Sequence, residues 1–247
     1  MSPPERDTLF QVDSIRENFE FNERVVEVFD DMLDRSIPCY HQVIEATSCL
    51  LDRYLADGDT IYDLGCATGT SLLEISRHLE AKQLRCIGID NSQPMLDKAQ
   101  LKAELFSRQD QFSFLLEDIM DFHHPSAGSI IINYTLQFIR SLKREEFLKR
   151  IHENLRPGGV LVLSEKIICQ DSRLSREFID IYHNFKKSKG YSELEIAKKR
   201  EALENVLIPF TLNENKTLLS KCGFTAVETF FQWFNFASII AIKSVST

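Results

Sequence analysis

No Cys-x-x-Cys pair occurs among the six cysteines (Cys39, Cys49, Cys66, Cys86, Cys169 and Cys222), so a zinc site lacks its ligand spacing and no metal is expected. Scattered thiols inside strands and helices read instead as small buried hydrophobes of a reduced, cytosolic protein. The cationic excess of a nucleic-acid binder is missing as well. The formal net charge is −8, whereas a broad nucleic-acid footprint needs clustered Lys and Arg. No direct nucleic-acid contact is expected, although an enzyme making a small metabolite can serve an RNA pathway without touching RNA. No apolar run reaches the ~18 residues of a membrane span. Met1 to Phe10 is polar and charged, so no signal peptide is expected. Internal repeats and low-complexity tracts are absent. What remains is a cytoplasmic globular chain of 247 residues, long enough for one large domain or two small ones with a sizeable core.

The chain is organised around Thr60-Ile61-Tyr62-Asp63-Leu64-Gly65-Cys66-Ala67-Thr68-Gly69. This reads as a short apolar strand, a glycine-bearing turn, and a helix from Ser71 to Leu79. Glycine in such a turn lets backbone N–H groups approach a ligand closely. Asp90 closes a second strand (85–90), where a carboxylate can accept from both hydroxyls of a ribose. Asp118 follows a third strand (112–116), at the adenine position. The dinucleotide pattern G-x-G-x-x-G is not present. The order acid-x-Gly-x-small-x-Gly, with Asp63 ahead of Gly65 and Gly69, instead resembles the first motif of class I S-adenosylmethionine-dependent enzymes.

Strands are expected near 60–64, 85–89, 112–116, 129–133 and 159–165, alternating with helices. That alternation specifies a mainly parallel sheet with right-handed crossovers. Residues 129–133 are apolar at consecutive positions, as in a strand buried on both faces, and Leu155–Gly159 reads as a turn before strand five. Two last strands, 225–233 and 235–243, form an antiparallel pair. The fold class is therefore α/β: a Rossmann-like, seven-stranded class I methyltransferase layout. Residues 1–56 read as an N-terminal arm (1–22) and a helical cover, with helices over 22–36 and 41–55. Residues 57–247 read as the nucleoside-binding unit, with a helical insertion at 170–222. Tyr40 sits at the break between the two cover helices, either as a packed ring or over a ligand.

Within the insertion, Ser192-Glu193-Leu194-Glu195 fits a capping box, so a helix starts at Ser192. Ile196, Arg200, Leu203 and Leu207 then fall on one stripe. A guanidinium on such a face needs an anion, since burial without one costs several kcal/mol on the order given for desolvated ions. The anion is either a structural carboxylate such as Glu204 or a ligand. Lys186, Lys187, Lys189, Lys198 and Lys199 read as a solvated face, and His123-His124 as a surface pair. Asn133-Tyr134-Thr135-Leu136-Gln137-Phe138 follows strand four, where methyltransferases place residues beside the reactive methyl. It lacks the Pro-Pro-Tyr tail of amide- and base-methylating enzymes. No general base announces itself, which counts against ordinary alkylation of a hydroxyl.

Over nearly its whole length the chain resembles the carboxy-S-adenosyl-L-methionine synthase family. The resemblance runs through Arg35-Ser36-Ile37-Pro38-Cys39-Tyr40, Asp63-Leu64-Gly65-Cys66, Ile89-Asp90-Asn91-Ser92 and Leu163-Ser164-Glu165-Lys166. It is most specific at Gly190-Tyr191-Ser192-Glu193-Leu194-Glu195-Ile196, Lys199-Arg200, Leu203-Glu204-Asn205-Val206 and Phe234-Asn235-Phe236. It departs at Cys39, where a glycine is common, and at Ala67-Thr68 in the turn. The resemblance implies conversion of S-adenosyl-L-methionine and prephenate to carboxy-S-adenosyl-L-methionine, phenylpyruvate and water, the product supplying a tRNA carboxymethyltransferase for wobble-uridine modification. It implies a cofactor site at Tyr40, Gly65, Cys66, Ala67, Asp90, Asn91, Asp118, Ile119, Asn133 and Arg200. It also implies a homodimer, in which Arg200 holds the new carboxylate and can reach in from the second subunit. The alternatives are an ordinary methyltransferase acting on a small molecule or tRNA, and a non-catalytic nucleoside-binding partner of a tRNA-modifying enzyme.

Overall fold

The computed structural model describes Asp7 and residues 23–105, 109–204 and 206–245. Its strands are β1 (Thr60–Leu64), β2 (Arg85–Asp90), β3 (Phe112–Leu116), β4 (Ala127–Asn133), β5 (Leu155–Lys166), β6 (Ala226–Trp233) and β7 (Phe236–Ile242). They form one sheet in the order β3-β2-β1-β4-β5-β7-β6. β1 to β5 pair in parallel, and β7 is antiparallel to both of its neighbours. The central strands are apolar at consecutive positions because helices cover both faces of the sheet. Along β4 the faces alternate: Ile131 packs with Leu72, Ile75, Val160 and Val162, while Ile130 and Ile132 pack with Phe147, Leu161 and Leu163 on the other side.

Eight helices stand among the described residues: α1 (Glu23–Ser36), α2 (Tyr40–Tyr54), α3 (Thr70–His78), α4 (Gln93–Ala103), α5 (Ser141–Asn154), α6 (Ser172–Ser188), α7 (Glu193–Leu203) and α8 (Leu212–Lys221). None is long and apolar enough to cross a membrane. The α7 start is a capping box: the Glu195 N–H donates to Ser192 Oγ at 3.2 Å, and the Ser192 N–H donates to Glu195 Oε2 at 2.7 Å. Replacing Ser192 with alanine should lower unfolding free energy by about 1 kcal/mol, read from the urea midpoint at unchanged slope.

Four expectations need correction. Leu155–Gly159 is not a turn ahead of strand five but the opening of β5. Leu155 pairs with Ala127 and Val160 with Ser129, so the residues between bulge out of the ladder. Gly158 takes a φ of 73° there, and Arg156 anchors the bulge through Nε and Nη2 to the Asp59 carboxylate at 2.9 and 2.7 Å. Tyr40 is not in a break; it is the first residue of α2, after Cys39 in the left-handed region (φ 58°). The lysines do not share one solvated face: Lys187 and Lys189 are exposed, but Lys186 and Lys199 are buried. Finally, Arg200 is exposed and the helix stops at Leu203, so the stripe through Leu207 runs off its end.

Most of the expected N-terminal arm lies outside the described residues. Asp7 is buried at the junction of α1 and α7. Its carboxylate accepts the Tyr191 hydroxyl at 2.5 Å and lies 3.7 Å from Lys199 Nζ, and its carbonyl accepts from Arg35 at 3.1 Å. Thus α1, α7 and the chain start are joined by one charged network.

Candidate active site

The turn after β1 is held open from below. The Gly65 and Cys66 N–H groups both donate to the Ile89 carbonyl, at 2.8 and 3.1 Å. Gly65 has a φ of 76°, and a Cβ on it would lie 2.5 Å from Thr135 Oγ1. Only glycine lets the segment after β4 come so close. Asp90 ties this turn to the next one: one carboxylate oxygen accepts from the Ala67 N–H and the other from the Ser92 N–H, both at 2.9 Å. Asp90 lines the cavity, and a carboxylate has more acceptor sites than these backbone bonds use. Asp118 caps a short 3₁₀ turn, accepting from the Met120 N–H at 2.9 Å and so presenting Ile119.

Above the turn, Tyr40 hydrogen-bonds through its hydroxyl to Ser71 Oγ at 2.9 Å, and Asn133 Nδ2 reaches the same oxygen at 3.5 Å. Asn133 Oδ1 is buried without a protein partner, which marks it as an acceptor aimed at something else. Beyond Asn133 the chain takes a left-handed step at Tyr134 (φ 57°). That step is fixed by the Tyr134 N–H donating to the Ser164 carbonyl at 2.6 Å and the Leu136 N–H donating to Glu165 Oε1 at 3.1 Å.

Tyr40, Gly65, Cys66, Ala67, Asp90, Asn91, Asp118, Ile119, Asn133 and Arg200 all line one cavity of about 830 Å³. Asp63 lines it too. Arg200 stands at its exposed edge, between it and a smaller cavity of about 450 Å³. Among the described residues Arg200 forms no ion pair, so the pairing with Glu204 is not made.

The cavity is electrostatically two-ended. At the turn end, burial and the neighbouring Asp90 raise the Asp63 carboxyl to about 7, and burial raises Asp90 against its backbone hydrogen bonds. Two crowded acids favour a cationic guest. The other end holds Lys166, Lys186, Lys199 and Arg200 beside Tyr182, Ile179 and Phe236. There burial, then Lys199 and Lys166, lower the Lys186 ammonium to about 7, and burial lowers Lys199 to about 8 despite Asp7. This end favours an anion with an apolar body.

The lysine end was not anticipated from sequence. The signal was there: Ile179, Tyr182, His183 and Lys186 recur at i, i+3, i+4 and i+7, one face of α6. All four line the cavity. Among the described residues no cluster of His, Cys, Asp and Glu is arranged to hold a metal.

Residues 61–159 match the model of a methyltransferase domain. Carboxy-S-adenosyl-L-methionine synthase of Desulfotalea psychrophila is 63% identical over 96% of this chain and 97% of its own length. The enzyme of that name from Wolinella succinogenes is 48% identical over 96% and 98%. Among solved structures, an O-methyltransferase family protein from Burkholderia thailandensis superposes with a TM-score of 0.64 at 17% identity, over 90% of this chain and 61% of that one. The last likeness speaks for the fold alone.

Proposed function

The chain belongs to the carboxy-S-adenosyl-L-methionine synthase family, and from that premise we propose that it converts S-adenosyl-L-methionine and prephenate to carboxy-S-adenosyl-L-methionine, phenylpyruvate and water. The observation that carries this reading is the cavity's two ends. An acidic end suits a nucleoside with a cationic sulfonium and an ammonium tail. A cationic end suits a dicarboxylate. Plain methyl transfer has no use for a cation beside a sulfonium, since like charges would repel.

In this reading Asp90 and Asn91 take the ribose, Asp118 and Ile119 the adenine, and the backbone of Gly65, Cys66 and Ala67 the methionine part with Tyr40 and Asn133 near the sulfonium. Prephenate aromatises by losing carbon dioxide and its ring hydroxyl as hydroxide. Hydroxide removes a proton from the sulfonium methyl, giving water and an ylide. The ylide carbon then bonds to carbon dioxide, and the new carboxylate rests on Arg200, whose planar fork matches it bidentately. The protein's contribution in this reading is close positioning and a water-poor pocket rather than a titrating side chain. Arg200 at the open edge suits contact with a ligand in its own subunit or in the partner of a homodimer. The product would serve a tRNA carboxymethyltransferase in the cytoplasm, with no RNA bound here.

Incubating the purified protein with both substrates should give a nucleoside one carboxyl group heavier by mass spectrometry, with phenylpyruvate in equal amount. Release of S-adenosylhomocysteine without need of prephenate would instead establish plain methyl transfer.

A further inference from the structure

The Tyr182 ring has two ammonium groups close to it. Lys166 Nζ is 5.0 Å and Lys186 Nζ 4.8 Å from its ring centroid, and its hydroxyl is fixed by donating to the Ser36 carbonyl at 2.8 Å. Lys199, nearby on α7, has the Asp7 carboxylate at 3.7 Å and Ser36 Oγ at 3.0 Å. Lys166 and Lys186 differ from it. Among the described residues neither makes an ion pair, and Lys186 is more than nine-tenths buried while lining the cavity. A ring face offsets part of the desolvation of an ammonium but supplies no hydrogen-bond acceptor. One buried and one half-buried cation sharing a single aromatic ring, with no ion pair among the described residues, amount to a site suited to an incoming anion.

The surroundings narrow the anion. Ile37, Ile179 and Phe236 line the same wall, so the guest carries an apolar ring or chain beside its acid group. Arg200, by contrast, stands at the exposed edge, close enough for its charge to lower the Lys166 ammonium further after burial. Lys186 is therefore deep, Lys166 half-buried beside it, and Arg200 at the opening.

We propose that Lys166 and Lys186 form a carboxylate-binding pair distinct from Arg200, which grips the acid group that the carboxyl donor keeps. This rests on the reading of the cavity as a site for an anionic carboxyl donor. In chemical terms the pair recognises an aryl-bearing monocarboxylate, the form in which the donor leaves after its other carboxyl group has been transferred. The pair would hold the donor before reaction and release the product last. Lys186, close to losing its proton in the empty pocket, becomes fully charged when the carboxylate arrives.

The test is calorimetric titration of phenylpyruvate into protein loaded with S-adenosylhomocysteine, for the unaltered chain and for Lys186→Met and Lys166→Met. The unaltered chain should bind, and each variant should bind about 10- to 100-fold more weakly. Affinity for S-adenosylhomocysteine should stay within about twofold, since one ligand's contacts are removed and the other's are not. Methionine keeps the apolar stem and removes a buried charge, so the melting temperature should hold or rise. Phenylpyruvate binding equal to that of the unaltered chain, or none to the unaltered chain, overturns the pair. Turnover of prephenate separates the two readings. A chain that binds phenylpyruvate through these lysines yet forms no carboxylated nucleoside sinks the proposed reaction and leaves the pair standing.

Discussion

Replacing Arg200 with alanine should abolish measurable carboxy-S-adenosyl-L-methionine formation, with a loss of about 100-fold or more, while S-adenosyl-L-methionine binds as before. Truncating one partner of a hydrogen-bonded charge pair costs about 2–5 kcal/mol, and each 1.4 kcal/mol is about tenfold. The loss should fall on the product, because the carboxylate proposed to meet Arg200 does not exist in the starting nucleoside. Equilibrium dialysis should accordingly show the product released and the substrate retained. Arg200→Lys keeps the charge without the bidentate fork and should recover only part of the rate. A second experiment reads the subunit of origin. Mixing Arg200→Ala with a variant crippled at the nucleoside end restores activity only if each cavity draws its arginine from the partner. An Arg200→Ala enzyme that carboxylates at the normal rate would return this site to the ordinary methyltransferases.

Asp90→Asn should weaken S-adenosyl-L-methionine binding by about 100-fold. Asp90 accepts from the Ala67 and Ser92 N–H groups and, on this reading, from the ribose diol. An amide turns one acceptor into a donor aimed at a donor, leaving buried groups unsatisfied at about 1–3 kcal/mol each. Asp63 adds a pH signature. Its carboxyl is held at about 7, by burial first and Asp90 second. A sulfonium ligand prefers the carboxylate, so binding below that pH must release a proton. Affinity should therefore improve as pH rises toward 7 and level off above it, and Asp63→Asn should flatten the profile. Stability runs the opposite way. A carboxyl whose folded value lies above its unfolded one binds more protons folded than unfolded, so the ligand-free fold loses stability as pH rises between those values. Glu165, raised to about 8 by burial despite Arg144, has the same sign. Urea midpoints of the protein without ligand should fall between about pH 4.5 and 7, above which the depressed Lys186 acts with the opposite sign, and Glu165→Gln should shallow that slope.

The sheet was legible because strands buried on both faces leave long apolar runs and the intervening helices leave amphipathic ones. The glycine turn, Asp90 and Asp118 were legible because backbone-approach chemistry restricts which residues can occupy such positions. Three things were not. The Leu155–Gly159 bulge carries the Pro-Gly signal of a turn, and it is held in the sheet by tertiary contacts, the clamp of Arg156 on Asp59 and the backbone bonds of Gly158 and Gly159 with Lys243. Lys186 is buried beside Tyr182 one turn earlier on α6 and Lys199 beside Asp7, surroundings that lysine-rich spacing does not announce. Arg200 was drawn to the cavity by a stripe that the helix does not complete. It lines the cavity all the same, from the exposed edge rather than from within an apolar face.

The contact between Asp7 and Tyr191 bridges 184 positions of sequence. A ribosome must therefore finish nearly four-fifths of the polypeptide before that buried junction can close. Contacts of such separation form late, since loop closure is costly before the contact repays it. Strands β1 to β4 thus leave the ribosome well before α7, so the Lys199 side of the cavity is completed only after the Gly65 and Asp90 side has been synthesised.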